Sequence, residues 1–298
     1  MTTWWGHFGL REPPFSLTPD TSFFFPAQPH RDAYETLRYA LDAGEGFVVI
    51  EGEVGTGKTL LLRHLLNTVP EDWSVAFVPN PGLDPDGLYA AIANEFGVAV
   101  AGAGESLLHR LERHFIALAQ QNRRPIVMID EAQALPADTL EAVRLLTNLE
   151  TEKRKLLQVV LFGQSELMFR LREKGTRQML TRISFHAALR PLRRNEVATY
   201  VRHRLQVAGR DAPLFTNWAA YRLWVVSRGL PRLVNIIAAK AMMLAYGRGA
   251  GQVTANHVNT AARDTLAVRQ WALSSPLVWG LGVLGLGAAV WTGFYWLG

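Results

Sequence analysis

The stretch from Phe47 to Leu66, FVVIEGEVGTGKTLLLRHLL, constrains the fold of this chain more than any other. Phe47-Val48-Val49-Ile50 reads as a buried strand, and Leu60-Leu61-Leu62 with Leu65-Leu66 reads as the start of a helix. Between them lies the complete pattern G-x-x-x-x-G-K-[ST], with glycines at 52, 55 and 57. Glycine lets the backbone turn tightly, so successive N–H groups can face phosphate oxygens with a helix N-terminus behind them. Gly52, Glu53, Val54, Gly55 and Thr56 are the first part of the expected nucleotide cradle, and Gly57, Lys58, Thr59 and Leu60 complete it. Lys58 would offset β- and γ-phosphate charge, and the Thr59 hydroxyl would ligate Mg²⁺. About seventy positions later comes Ile126-Val-Met-Ile-Asp130-Glu131, a second apolar strand ending in two carboxylates. Asp130 is the expected outer carboxylate for the metal, and Glu131 is placed to polarise an attacking water. The two parts together point to ATP hydrolysis with Mg²⁺.

Other strand candidates are Val75–Val78, Leu157–Phe162 and Ile183–Leu189, separated mostly by helical patterns that include one from His30 to Ala43. This alternation predicts a parallel five-stranded sheet covered by helices on both faces, an α/β class of fold. After Pro191 strands give way to helical patterns near 194–208, 216–227, 231–247 and 254–268, which predicts a small helical domain. The expected divisions are an aromatic and proline-rich segment 1–29 packed on the core, an α/β core 30–191 and helices 192–268. A linker 269–275 and an apolar run 276–297 follow. In segment 1–29, prolines at 13, 14, 19, 26 and 29 prevent a long helix, while Phe8, Phe15 and Phe23-Phe24-Phe25 need a surface to pack on.

With 298 residues, 49% of them hydrophobic, the chain has material for about two domains. The net charge of +5 comes largely from arginine, since lysine occurs only at 58, 153, 155, 174 and 240. Arginines at 190, 193, 194, 202 and 204 read as a solvated helix face, so specific nucleic-acid binding is not expected. The absence of cysteine excludes disulfides, thiolate metal sites and a cysteine nucleophile, and the eight histidines show no metal-ligand spacing. The N-terminus lacks the charged and apolar regions of a signal peptide.

From Gln270 to Gly298 no residue is charged. As a helix, 276–297 would be about 33 Å long against a hydrocarbon core of roughly 30 Å. Trp271 and Trp279 stand toward one end, and Trp291, Tyr295 and Trp296 toward the other, as interfacial aromatics do. A single transmembrane helix is the expectation. Arg263 and Arg269 precede it, so the basic flank and the catalytic domain should stay cytoplasmic. Gly285, Ala289 and Gly293 would line one helix face suited to helix pairing.

The glycine loop, the Asp-Glu strand and the helical tail resemble AAA+ ATPases. HFGLREPPFSLTPD near the N-terminus, IDEAQ at 129–133, LLTNLET at 145–151, LLQVVLFGQSEL at 156–167 and GLPRLVN at 229–235 resemble one branch, the ExeA/GspA secretion ATPases. The resemblance spans residues 5 to 268 and is nearer still to the MshM-like ATPases of MSHA pilus biogenesis. ExeA-type proteins continue past a membrane helix into a peptidoglycan-binding region, whereas this sequence stops at Gly298, which favours the MshM-like comparison.

The resemblance implies further site residues. Gln164 would be the polar sensor that follows the fourth strand. Arg182 would be an arginine finger supplied to a neighbouring subunit, with Arg177 as a rival, and Arg232 would be the lid arginine. Asn148 is a candidate to hold Glu131 inactive, or else a helix-packing asparagine. The implied function is a membrane-anchored ATPase of the bacterial inner membrane, coupling hydrolysis to assembly of a pilus or type II secretion apparatus. Its implied partners are copies of itself, with a hexamer among the arrangements, and pilus or secretion assembly proteins. The alternative is a DNA-binding ATPase of the transposition type, similar to MuB and TniB. A third class is a nucleotide-dependent switch with little turnover, against which Glu131 directly after Asp130 argues.

Overall fold

A computed structural model describes residues 3–79, 82–101, 105–150, 155–173 and 175–269. It divides into two units, residues 19–191 and a second made of residues 1–18 with 192 onward.

In the first unit five parallel strands, β1 (Phe47–Gly52), β2 (Trp73–Val78), β3 (Arg124–Ile129), β4 (Gln158–Gly163) and β5 (Phe185–Leu189), form one sheet in the order β2-β3-β4-β1-β5. Strand side chains alternate between faces, and both faces here are buried, so the strands read as continuous apolar runs. On one face Phe47, Val49, Val127, Ile129, Val159 and Leu161 pack with helices α3 (Pro85–Glu95), α4 (Leu107–Gln120) and α5 (Ala137–Leu146). On the other, Val48, Ile50, Met128, Val160 and Phe162 pack with α1 (Gln28–Asp42) and α2 (Lys58–Leu66). A short helix, α6 (Ser165–Leu171), follows β4. Helix starts are fixed by local chemistry: the Asp84 carboxylate accepts from the Gly87 N–H at 2.8 Å, and the Ser106 hydroxyl accepts from the His109 N–H at 3.3 Å.

The second unit contains α7 (Arg194–Val207), α8 (Asn217–Ser227), α9 (Pro231–Gly247) and α10 (Ala255–Arg263). Its core runs along α9, where Val234, Ile237, Ala238, Ala241, Met242 and Ala245 are fully buried.

Two expectations change. The segment 1–29 does not lie whole on the α/β core, because residues 1–18 belong with the helices. Arg204, expected on a solvated face, is 4% exposed. One fact explains both. The Arg204 guanidinium donates to the Pro14 and Ser16 carbonyl oxygens at 2.5 and 3.3 Å, and Phe15 meets Phe215 edge-on at 5.9 Å. A buried guanidinium needs acceptors, and this extended segment supplies backbone ones. Arg193, Arg194 and Arg202 are exposed as expected. Residues 19–27 lie on the α/β unit, where Arg63 donates to the Pro19 carbonyl oxygen at 3.2 Å and Phe24 stacks on His64 at 4.2 Å.

The apolar run 276–297 and its small-residue face lie outside the described residues. Among the described residues no helix is long and apolar enough to cross a membrane.

Candidate functional site: a phosphate-binding loop with two carboxylates

The loop from Gly52 to Lys58 joins the C-terminal end of β1 to the first turn of α2. Gly55 and Gly57 have φ of +85° and +101°, in the region that side chains other than glycine rarely adopt. Gly57 has a second reason to lack a side chain, since a Cβ would come 2.9 Å from His30 Nε2. His30, buried in α1, bonds the Thr56 carbonyl oxygen through Nε2 at 2.8 Å. A carbonyl can only accept, so Nε2 carries the proton. The Thr56 hydroxyl in turn donates to the Glu53 carbonyl oxygen at 2.8 Å. The loop is thus braced from inside itself and from α1.

Lys58 opens α2 and is 5% exposed. Its ammonium donates to the carbonyl oxygens of Gly52 and Glu53 at 2.6 and 3.2 Å. Burial pushes its pKa down, against the pull of Glu131, Asp130 and Glu166. Among the described residues no ion pair neutralises it. Thr59, the next residue, donates its hydroxyl to Asp130 Oδ2 at 2.7 Å across 71 positions of sequence.

Asp130 follows β3 and is 4% exposed. Burial pushes its carboxyl up, opposed by the bonds from Thr59 and from the Glu131 N–H, which reaches Oδ1 at 2.9 Å. Glu131 has φ +52° and ψ +36°, a left-handed conformation that turns the chain sharply off the strand. Its Oε2 accepts from Gln133 Nε2 at 2.5 Å and from Gln164 Nε2 at 3.2 Å. Gln164 lies just after β4, at the N-cap of α6. The C-terminal ends of β1, β3 and β4, contiguous in the sheet, therefore bring Lys58, Thr59, Asp130, Glu131 and Gln164 together, where open parallel sheets place their ligands.

The remaining candidates are elsewhere. Arg182 ends a 3₁₀ turn, Arg177–Arg182, that leads into β5. It lines a cavity of about 270 Å³ with Gly46, Phe47, Thr147 and Lys155, at the N-terminal end of β1. At roughly 3.3 Å per strand residue, β1 alone separates it from the loop by about 17 Å. Arg177 is exposed on the same turn. Arg232 is an exposed residue in the first turn of α9, in the other unit. Asn148 is exposed beyond α5, and the carboxylate of Glu131 is held instead by Gln133 and Gln164. His30 and Gln133 are site residues without a motif of their own. Gln133 sits in the IDEAQ run beside the two carboxylates, which is the only sequence signal for it.

Residues 41–171 match the family described as AAA domain. Over 264 residues the chain is 43% identical to general secretion pathway protein A of Aeromonas hydrophila, a match covering 88% of this chain and 48% of that protein. This chain thus spans about half the length of that relative. Among solved structures it is similar to the Cdc6p protein of Pyrobaculum aerophilum, with TM-score 0.63 and 17% identity over 83% of this chain and 71% of that one. It is similar also to the ORC2 protein of Aeropyrum pernix, with TM-score 0.61 and 20% identity over 85% and 71%. The RuvB Holliday junction branch migration motor of Thermotoga maritima matches with TM-score 0.53 and 16% identity over 80% and 69%. At these identities the structures speak for the fold alone. Residues 41–171, which hold the phosphate-binding loop and both carboxylates, thus match an AAA domain, in a chain similar to general secretion pathway protein A.

Proposed function

We propose that this chain is the ATPase of an oligomer anchored in the bacterial inner membrane by residues 276–297. On this reading it couples ATP hydrolysis to the assembly of a type II-like secretion apparatus or a pilus similar to the MSHA pilus. The observation that carries the reading is the 43% identity over 264 residues to general secretion pathway protein A.

The site suits MgATP on its own chemistry. Lys58 is a buried cation inside a loop turned by two left-handed glycines, an arrangement that calls for an anion. Thr59 and Asp130 present a hydroxyl and a carboxylate oxygen 2.7 Å apart, hard donors of the kind Mg²⁺ accepts alongside water and phosphate oxygens. Bound there, Mg²⁺ would neutralise charge on the β- and γ-phosphate oxygens. Lys58 exchanges its bonds to loop carbonyls for bonds to phosphate. Glu131 takes up the proton of the attacking water, and Gln164, bonded to the same carboxylate, would orient that water or read the γ-phosphate. Arg182 works in trans, because it stands at the opposite end of the strands from the loop of its own chain. Arg232 acts as the lid arginine.

Affinity purification of the Glu131→Gln variant from detergent-solubilised membranes tests the proposal. Trapping the ATP-bound form should enrich secretion or pilus assembly proteins, identified by mass spectrometry. Extraction of the chain by carbonate, as for a peripheral protein, would remove the anchor. ATP-dependent filaments on duplex DNA, with no assembly proteins recovered, would favour the transposition-type reading.

A further inference from the structure

Gln133 has no assigned role, yet its side chain spans the two parts of the site that must act together. Its Oε1 accepts from the backbone N–H of Gln164 at 3.0 Å, and its Nε2 donates to Glu131 Oε2 at 2.5 Å. The amide orientation follows from the chemistry. A backbone N–H can only donate, so the oxygen must face Gln164 and the NH₂ must face the carboxylate. The main chain of Gln133 is tied as well, since its carbonyl oxygen accepts from Arg170 of α6. Behind the side chain, Gly163 leaves room, because a Cβ there would come within 3.3 Å of Gln133 Oε1.

Glu131 needs such a tie. It stands in a left-handed conformation on a 3₁₀ turn, half exposed. A half-exposed carboxylate beside a short turn samples several rotamers unless donors select one, and strain at such a position persists only where the surroundings over-determine it. The donors Gln133 Nε2 and Gln164 Nε2 converge on a single oxygen of that side chain, Oε2. That leaves Oε1 as the oxygen available to a water proton.

We infer that Gln133 is a positioning residue for hydrolysis: it fixes Glu131 through Oε2, presents Oε1 to the attacking water, and links that carboxylate to the segment carrying Gln164. A shift at the start of α6, where Gln164 answers the γ-phosphate, is thereby transmitted to Glu131 through one side chain. The inference rests on the ATPase reading of the site and adds a coupling between its base and its sensor.

The test compares the full chain in detergent as wild type, Gln133→Leu and Gln133→Glu. Leucine removes both bonds, whereas glutamate keeps the shape and the acceptor for the Gln164 N–H but turns the donor facing Glu131 into a second carboxylate. Misplacing a catalytic group by about 1 Å costs roughly 10²-fold in rate. Both variants should therefore lose kcat by about that factor, while KM for ATP and affinity for a non-hydrolysable analogue stay at the wild-type level. Placed on Glu131→Gln, neither change should lower the residual rate further, because the group being positioned is already gone. Wild-type kcat in Gln133→Leu, full activity in the shape-matched Gln133→Glu, or a further loss in the Glu131→Gln background would each overturn the inference. A wild-type chain that releases no phosphate would instead count against the ATPase reading, which separates the two failures.

Discussion

At Lys58 and Asp130, burial pushes an ammonium and a carboxyl toward their neutral forms. Both groups are thus charged at some cost to folding in the absence of ligand, and on the proposed function MgATP would offset that cost with opposite charge. Asp130→Asn removes one share of it: the amide oxygen keeps the Glu131 N–H, and the Thr59 hydroxyl turns to accept from the amide NH₂. Without nucleotide, the variant should melt higher than wild type, at roughly 2–4 °C for each kcal/mol recovered, and it should lose the added stabilisation that Mg²⁺ gives over ATP alone. The pH dependence has a definite sign. A carboxyl whose folded-state pKa is raised contributes stability at low pH and loses it as pH rises through the raised value. The advantage of Asp130→Asn should therefore be largest near neutrality and shrink as pH falls toward the ordinary carboxylate range. Thermal unfolding of both proteins across pH checks this, and an advantage that grows on acidification would contradict it. Lys58, Thr59, Asp130 and Glu131 were legible in the sequence because each falls at a fixed offset from an apolar strand. His30 and Gln133 were not, since their partners are a loop carbonyl 26 residues away and an amide 31 residues away.

Among the elements, the strands were readable because burial on both faces leaves little but apolar residues in them. The N-terminal segment was not, because its anchor is a guanidinium 190 positions distant in sequence bonding a carbonyl oxygen. Arg204→Leu removes those bonds and leaves the Pro14 and Ser16 carbonyls without that donor. Hydrogen bonds to charged groups contribute about 1.5–3 kcal/mol each, so a loss of about that size should appear in urea unfolding of the helical unit. Amides in residues 8–16 should exchange faster in the same variant, and unchanged exchange there would show that Arg204 does not hold the segment. Gly229 makes a sharper case within this unit. Its φ is +75°, its carbonyl oxygen accepts from the Leu192 N–H at 2.9 Å, and a Cβ would lie 2.1 Å from the Leu192 carbonyl oxygen. Both strain and collision oppose any side chain. Gly229→Ala should therefore destabilise the helical unit by more than the roughly 1 kcal/mol that a glycine substitution at an open positive-φ site costs, as read from the urea midpoint.

For the whole molecule, the proposed function divides the reaction between the two ends of the sheet. Lys58, Asp130 and Glu131 gather at the C-terminal ends of the strands, and Arg182 lies before β5 at the other end. On the proposed reading a complete site needs a second copy of the chain. Arg182→Ala should bind ATP normally and hydrolyse it slowly, since a finger of this kind is worth roughly 10³–10⁵ in rate. Mixing it with Glu131→Gln subunits should restore part of the activity, because some interfaces then pair an intact Glu131 with an intact Arg182. No recovery in confirmed mixed oligomers would place Arg182 outside the trans site. The expectation of a membrane segment at 276–297 rests only on a hydropathy pattern and an absence of charge, and it lies outside the described residues. The most direct measurement on the central claim is phosphate release from MgATP by the full chain, wild type beside Glu131→Gln, in preparations whose bound ATP is also counted. Loss of a general base costs about 10²–10⁴-fold, so the variant should retain ATP and release phosphate at least about a hundredfold more slowly. Equal rates in the two proteins would contradict the account.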